Sequence, residues 1–223
     1  MSCKVKICGI TNVDDALMVE ALGADYIGVL LDVEESPRSV SYKTLKEIIK
    51  ATKIPIVVLL DKKEKDIEDI IKDLCPYAIQ FLGDVTEENL LSLRSSVSCD
   101  LWLPLHLPPV DEDFSDFERL IKRLRIFSNA GIATVVIDTK LTLKGKEIRG
   151  GTGKISNWDI AKRLVEKTEI PIFLAGGLNP DNIRDAIKVV NPYGVDVSSG
   201  VESICRKKDK EKVERIIKIA KED

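Results

Sequence analysis

Residues 172–189, IFLAGGLNPDNIRDAIKV, contain one complete unit of strand, turn and helix. The apolar run Ile172–Ala175 predicts a buried strand, and Gly176-Gly177 predicts a tight turn directly after it. Asn179-Pro180 is typical of a helix start, and the apolar spacing over Asp181–Val189 predicts an amphipathic helix. Repetition of such units builds a parallel sheet covered by helices.

The same alternation recurs along the whole chain. The predicted strands are Val5–Cys8, Tyr26–Leu31, Ile56–Leu60, Ala78–Phe81, Leu101–Leu105, Thr134–Ile137, Ile172–Ala175 and Val195–Val197, and a helical pattern follows each of them. Eight such units in 223 residues predict an α/β fold of the (β/α)8 barrel type, formed as one domain over residues 1–223. An open doubly wound sheet has fewer strands and a glycine-rich turn after the first, which this chain lacks.

Capping residues support the predicted helix starts. The pairs of cap and helix are Thr11-Asn12 before Val13–Leu22, Ser41 before Tyr42–Ala51, Thr86 before Glu87–Leu93, and Ser156 before Asn157–Val165. Side-chain oxygens of these residue types accept hydrogen bonds from the free N–H groups of a first helical turn, so the predicted strands and helices agree with each other.

Composition narrows the function classes. Hydrophobic residues make up 44% of the chain and charged residues 32%, which excludes global disorder. The net charge of −3 and the absence of a long basic run argue against nucleic-acid partners, and no apolar stretch approaches the roughly 18 residues of a membrane span. We therefore expect a cytoplasmic protein with a small-molecule partner, acting as a monomer or homodimer. Five scattered cysteines without a C-x-x-C pair, and His106 as the only histidine, predict neither a disulfide framework nor a metal site.

In a (β/α)8 barrel the active site lies at the carboxyl ends of the strands, so the residues ending each strand are the candidates. Gly176-Gly177 after the seventh strand and Ser198-Ser199-Gly200 after the eighth predict a phosphate site, because small residues let backbone N–H groups approach an anion. The alternative is that these segments are only tight turns between strand and helix.

Cys8 ends the first predicted strand and Asp138 directly follows the sixth, and together they predict a base and an acid facing one substrate. A catalytic cysteine must ionise, and we expect partial exposure near helix N-termini to lower the pKa of Cys8. The alternatives are an inert buried thiol and an aspartate that caps its loop. Arg38, in a loop stiffened by Pro37, is a candidate partner for a substrate carboxylate.

Three other features carry simpler interpretations. His106, between leucines, is typical of a packed or loop histidine. The run 206–212 has charges of both signs and predicts a solvated helix start. The segment Lys140–Arg149 predicts a long loop, and its glycine-rich surroundings suggest a lid as a hypothesis.

Taken together, the motifs resemble the phosphoribosylanthranilate isomerase family over nearly the whole chain. The residues that carry the resemblance are 6–11 (KICGIT), 23–25 (GAD) with Ile27-Gly28, 36–38 (SPR), 137–139 (IDT), 150–154 (GGTGK), 175–179 (AGGLN) and 195–202 (VDVSSGVE). They occur in the family's order, each at the strand or loop predicted above.

The resemblance implies an Amadori rearrangement of a phosphoribosylated aminoaldose to an aminoketose in tryptophan biosynthesis, without a cofactor or metal. It implies that Asp138 is the general acid and Cys8 the general base. It further implies that the ligand is bound by Arg38 at the carboxylate, by Asp196 near the anthranilate amine, by Gln80, and by Gly153, Gly177, Ser199 and Gly200 at the phosphate.

Some positions depart from the family. Leu82 stands where a histidine is usual, Pro104 lies where a lysine–alanine pair is common, and Cys205-Arg206 replaces a usual Pro-Gly. These departures leave two alternatives open: a non-catalytic phosphosugar-binding relative, and an isomerase of another phosphorylated aminoaldose. One such isomerase, the aminoaldose isomerase of the histidine pathway, typically has an aspartate at the position of Cys8. Cys8 therefore argues against that enzyme.

Overall fold

Eight parallel strands close into a ring in the computed structural model, which describes residues 3–61, 64–83, 85–107, 116–143, 146–149 and 157–222. The strands are β1 Lys4–Cys8, β2 Tyr26–Leu31, β3 Ile56–Leu60, β4 Ala78–Phe81, β5 Asp100–Leu107, β6 Thr134–Leu143, β7 Ile172–Leu174 and β8 Gly194–Val197. Each strand pairs with the next along the chain, and β8 pairs with β1, with Val195 opposite Val5. The predicted (β/α)8 barrel is therefore confirmed.

Helices follow the strands and cover the outside of the ring. They are α1 Val13–Ala21, α2 Tyr42–Ala51, α3 Glu64–Leu74, α4 Glu87–Ser96, α5 Phe117–Asn129, α6 Trp158–Val165, α7 Ile183–Val190 and α8 Lys210–Lys221. Within the described ranges, none of them is long and apolar enough to cross a membrane.

Most predicted caps are where the sequence places them. Asn12, Ser41 and Thr86 each accept a hydrogen bond from a backbone N–H in the first turn of their helix. The start of α6 differs from the prediction: Asn157 caps this helix, and the predicted cap, Ser156, lies outside the described residues. The start of α7 also differs, because this helix begins only after Asn182 and not at Asp181.

Asn182 explains the late start of α7. Its side-chain oxygen accepts the N–H of Asn179, and its amide nitrogen donates to the carbonyl of Gly177 at 3.0 Å. These bonds hold residues 179–182 in a turn, so the chain cannot enter the helix at Asp181 as the apolar spacing predicts.

The segment predicted as a long loop is partly regular. Strand β6 continues through Leu143, and its end pairs antiparallel with Lys146–Arg149, with Lys140 opposite Arg149. The loop prediction is therefore wrong for these residues, which form a β-hairpin at the carboxyl end of the barrel. Strand β5 likewise runs two residues beyond Leu105, the predicted end.

Alternating side chains divide the apolar core into two layers. The larger layer lies between strands and helices and includes Ile7, Val58 and Ile137 from the strands. The smaller layer fills the inside of the ring, where Trp102 and Phe173 lie 4.9 Å apart between ring centroids. Because bulky side chains fill the amino-terminal half of the ring, polar groups concentrate near its carboxyl end.

Candidate active site

The candidate site is built on strands that meet at the carboxyl end of the barrel. Lys6 and Cys8 lie two residues apart on β1, so both side chains point into the ring. Asp196 on β8 is opposite Lys6 in the ladder, and Gln80 comes from β4. These groups are separated by up to 190 residues in sequence, and only ring closure brings them together.

Cys8 is more buried than the sequence suggests, with 7% of its surface exposed. Burial raises the pKa of its thiol to about 11, although the Lys6 ammonium group and, more weakly, Lys208 oppose the rise. The expectation of a lowered pKa is therefore wrong, because desolvation of the Cys8 thiol outweighs the nearby positive charges. A thiolate at this position is a strong base.

Asp138 lies on β6, opposite His106 of β5 in the ladder. Burial raises the pKa of its carboxyl to about 6, and the neighbouring negative charge of Asp196 acts in the same direction. The backbone N–H of Thr139 donates to Oδ1 at 2.7 Å and partly offsets the rise. Such a carboxyl can hold its proton close to neutral pH, which a general acid requires.

Lys6 connects two of the predicted ligand-binding residues. Its Nζ donates to Oδ2 of Asp196 at 2.6 Å and to Oε1 of Gln80 at 2.8 Å. The other oxygen of Asp196, Oδ1, is buried and has no hydrogen-bond partner among the described residues. A buried acceptor of this kind is costly unless a donor arrives, so Oδ1 is suited to an N–H or O–H group of a ligand.

Arg38 reaches the site rim, where it is already paired. Its Nε and Nη2 each donate to a carboxylate oxygen of Glu202 at 2.7 Å, a bidentate arrangement. Arg38 Cδ also lies against the Cα of Gly9, where a Cβ atom would be only 2.6 Å away. The guanidinium is thus fixed beside the loop after β1, and its Nη1 group is not used in the pair with Glu202.

Lys208 is the second cation that pairs with Glu202. Its Nζ lies 3.1 Å from Glu202 Oε1 and donates to the carbonyl of Ser198 at the same distance. The predicted solvated helix start is therefore wrong at Lys208, whose side chain is fully buried; α8 starts later, after the cap Asp209. The lysine belongs to a short antiparallel ladder that joins Glu202–Ile204 to Lys207–Lys208.

The loops after β7 and β8 touch each other, as a shared anion site requires. A Cβ atom on Gly200 would lie 1.9 Å from the carbonyl oxygen of Leu178, so only glycine fits. Gly177 adopts a positive φ of 64°, and its carbonyl accepts amide N–H groups from Asn179 and Asn182. Ser199 opens the single helical turn that follows β8. Gly153, the remaining predicted phosphate ligand, lies outside the described residues.

Leu82 occupies the position after β4 where the resembled family usually has a histidine. Its side chain is half-buried and packs against the inner core layer rather than offering a polar group. Within the described ranges, no group of three or more His, Cys, Asp or Glu side chains is placed to hold a metal ion.

Sequence reasoning missed the parts played by Lys6, Glu202 and Lys208. Lys6 shares the inward face of β1 with Cys8, and a lysine on the buried face of an apolar strand is a signal of a buried charge pair. No comparable signal exists for Lys208, because its pairing with Glu202 depends on a two-residue strand inside a charge-rich run.

A family model and a curated relative both match nearly the whole chain and agree on the family. The family model for N-(5′-phosphoribosyl)anthranilate isomerase matches residues 5–219. The N-(5′-phosphoribosyl)anthranilate isomerase of Aquifex aeolicus is 40% identical over 222 residues, which cover 99% of each chain.

Two solved structures are similar over nearly the whole fold. Monomers generated from the dimeric phosphoribosylanthranilate isomerase of Thermotoga maritima superpose with a TM-score of 0.79 at 29% identity, covering 98% of each chain. A phosphoribosylanthranilate isomerase in complex with reduced 1-(o-carboxyphenylamino)-1-deoxyribulose 5-phosphate gives a TM-score of 0.77 at 27% identity and the same coverage.

Proposed function

Because the chain belongs to the N-(5′-phosphoribosyl)anthranilate isomerase family, we propose that Asp138 and Cys8 are the acid and base of that family's reaction in this protein. The protein is an isomerase of tryptophan biosynthesis. It converts N-(5′-phosphoribosyl)anthranilate, an aminoaldose, to the aminoketose 1-(2-carboxyphenylamino)-1-deoxyribulose 5-phosphate. The rearrangement needs one proton donor and one proton acceptor.

The observation that carries this proposal is the placement of a thiol on β1 and a carboxyl on β6 at the carboxyl end of the barrel, where burial raises the pKa of Asp138 to about 6. In the first step, Asp138 gives its proton to the ribose ring oxygen. The bond from that oxygen to C1′ breaks with its electrons on oxygen, and the nitrogen lone pair forms a C1′=N double bond. The product is an open-chain protonated Schiff base, and Asp138 is left as a carboxylate.

Cys8 acts in the second step. Its thiolate takes the proton from C2′, the electrons of that C–H bond form a C1′=C2′ bond, and the C=N electrons return to nitrogen. The resulting enol becomes the ketone when O2′ loses a proton and C1′ gains one. A thiolate in a buried site is basic enough for a carbon-bound proton that the adjacent Schiff base acidifies.

The remaining site residues would hold the substrate in place for these transfers. Gly177, Gly200 and Ser199 offer N–H and hydroxyl donors to the phosphate from two loops that touch. Asp196 Oδ1 lacks a donor and suits the anthranilate N–H. Arg38, fixed by Glu202, can reach the anthranilate carboxylate with its Nη1 group.

The test uses the loss of anthranilate-linked fluorescence when the protein meets freshly formed N-(5′-phosphoribosyl)anthranilate. We expect wild type to accelerate the loss, and Cys8→Ser and Asp138→Asn each to lower kcat about 100-fold or more. Both variants should still bind reduced 1-(o-carboxyphenylamino)-1-deoxyribulose 5-phosphate, because they keep the phosphate loops. Cys75→Ser, which removes an exposed thiol remote from the barrel interior, is the matched control and should keep full activity.

The outcomes separate the alternatives. A wild-type protein that binds the reduced product analogue without accelerating the reaction would be a phosphosugar-binding relative. Full activity in Cys8→Ser would contradict the assignment of the base, whatever the result for Asp138→Asn.

A further inference from the structure

Lys6 is an ionised lysine with no exposed surface inside the barrel. Burial disfavours its charge, but the negative groups around it, Asp196 first and then Cys8 and Asp138, together outweigh burial and raise the pKa of Lys6. The ammonium also lies 5.7 Å from the ring centroid of Trp102, which supports a cation from one side. Lys6 is therefore charged at neutral pH.

A buried ion pair of this kind is a poor way to stabilise a core. Removing two charges from water costs several kcal/mol per ion, and apolar side chains of similar volume are often as stabilising. Strands β1 and β8 already pair through a regular ladder of backbone hydrogen bonds. Stability alone therefore does not account for the Lys6 ammonium group at this place in the barrel.

Gly28 on β2 shows how near that charge is to the proposed base. A Cβ atom on Gly28 would lie 2.7 Å from Cys8 Sγ and 3.0 Å from Lys6 Cε. The two side chains thus share the space that the missing side chain of Gly28 leaves, and they extend in the same direction from one strand.

Charges near Cys8 come from several elements and have both signs, and Glu202 is the counter-charge of both Arg38 and Lys208. Among these groups the Lys6 ammonium acts most strongly on the thiol, ahead of the Asp196 carboxylate, which opposes it. Among the residues that the structure describes, further charged groups that act on Cys8 or Lys6 are Lys208 in the ladder after β8, Arg38 in the loop after β2, and Asp138 on β6.

We propose that Lys6 is a positioning residue for the isomerase reaction: its ammonium group stabilises the Cys8 thiolate and holds Asp196 with Oδ1 directed to the ligand. This inference rests on the proposed role of Cys8 as base. The Cys8 thiol loses its proton to solvent before the transfer, and the thiolate then takes the C2′ proton and becomes a thiol again. Lys6 keeps its own protons throughout.

The stabilisation increases the rate because little of the thiol is ionised at neutral pH. Each unit by which Lys6 lowers the pKa of Cys8 increases the thiolate fraction about tenfold. The basicity of the thiolate falls by a smaller factor, since reactivity follows pKa with a slope below one.

The test measures Cys8 itself, without substrate. Iodoacetamide alkylation of the peptide that contains Cys8 is followed by mass spectrometry across pH in wild type, Lys6→Met and Lys208→Met. We expect Lys6→Met to move the alkylation midpoint up by about one unit or more and to lower kcat about tenfold or more. Lys208→Met, the matched control, should move the midpoint less, because Lys208 acts on Cys8 more weakly.

A second variant covers the case in which Lys6→Met does not fold. Lys6→Met with Asp196→Asn removes both charges and leaves neither unpaired. The alkylation midpoint should still rise, by less than in the single variant, because the ammonium acts on Cys8 more strongly than the carboxylate does.

The results that would overturn the proposal are specific. An unchanged midpoint in the folded variants would show that Lys6 does not act on the thiol, even if activity fell. A raised midpoint with unchanged kcat would show that the thiolate is not needed for the reaction. Failure of the proposed function is seen separately, as a wild-type protein without turnover or a Cys8→Ser variant with full turnover.

Discussion

Replacing Asp138 with asparagine should stabilise the fold at pH 8 while it removes the proposed acid. The side chain keeps its shape, and its oxygen can still accept the N–H of Thr139. What changes is the charge, which burial makes unfavourable: the pKa is raised from 3.8 to about 6. Ionisation of Asp138 should therefore make the free energy of unfolding depend on pH in wild type, and Asp138→Asn should lack this contribution.

The sign and size follow from proton linkage. Below pH 3.8 the carboxyl is protonated in both the folded and the unfolded chain, so wild type and Asp138→Asn should have similar stability. Between that pH and about 6, the carboxyl is ionised in the unfolded chain before it is ionised in the folded one. The free energy of unfolding of wild type therefore falls by up to about 3 kcal/mol. Because Asp138 is only half-buried by surface area, screening by solvent reduces the expected gain of the variant at pH 8 to about 2–3 kcal/mol.

Urea unfolding at pH 4 and pH 8, followed by tryptophan fluorescence, to which the buried Trp102 contributes, measures this difference. Asp196→Asn is the matched control with the opposite sign, since it leaves Lys6 buried without its partner and should cost about 3–5 kcal/mol. The reasoning is refuted if Asp138→Asn is less stable than wild type at pH 8, or if its advantage is the same at both pH values.

Two further variants test the rim of the site. Gly200→Ala should raise KM and weaken the binding of inorganic phosphate in competition assays, because its Cβ would overlap the Leu178 carbonyl and separate the two loops. Glu202→Gln should lower the free energy of unfolding by about 3–5 kcal/mol in urea titrations and raise KM, since it leaves Lys208 buried without a counter-charge and frees Arg38. Adding Lys208→Met to Glu202→Gln should restore part of the stability; no restoration would contradict the ion-pair explanation.

The barrel could be predicted because each of its signals is local. The run Ile56–Leu60 is five buried apolar residues and forms β3 as predicted. Ser41 caps α2 through the N–H of Thr44, three residues away. Signals of this range are complete within a window of about ten residues, so a single sequence contains them.

The charge pairs could not be predicted because each depends on residues far apart. The interpretation of Cys8 as partly exposed fails since the neighbours that bury it come from other strands. The sequence around Arg38 gives no sign of a protein partner, because Glu202, which pairs with it in the fold, lies 164 residues later. Family resemblance supplied the candidate site residues, whereas their electrostatic state needed the three-dimensional arrangement.

Three contacts that tie the first βα unit to the last have a consequence for synthesis of the chain. Lys6 bonds Asp196 across 190 residues, Thr11 Oγ1 bonds the carbonyl of Arg206 across 195, and Asp15 accepts the N–H of Lys208 across 193. The start of the barrel is therefore synthesised long before these partners exist, and in a half-made ring Lys6 lacks its carboxylate partner Asp196. Closing the ring and completing the candidate site therefore become one event, so a chain that is interrupted late in translation is expected to have neither.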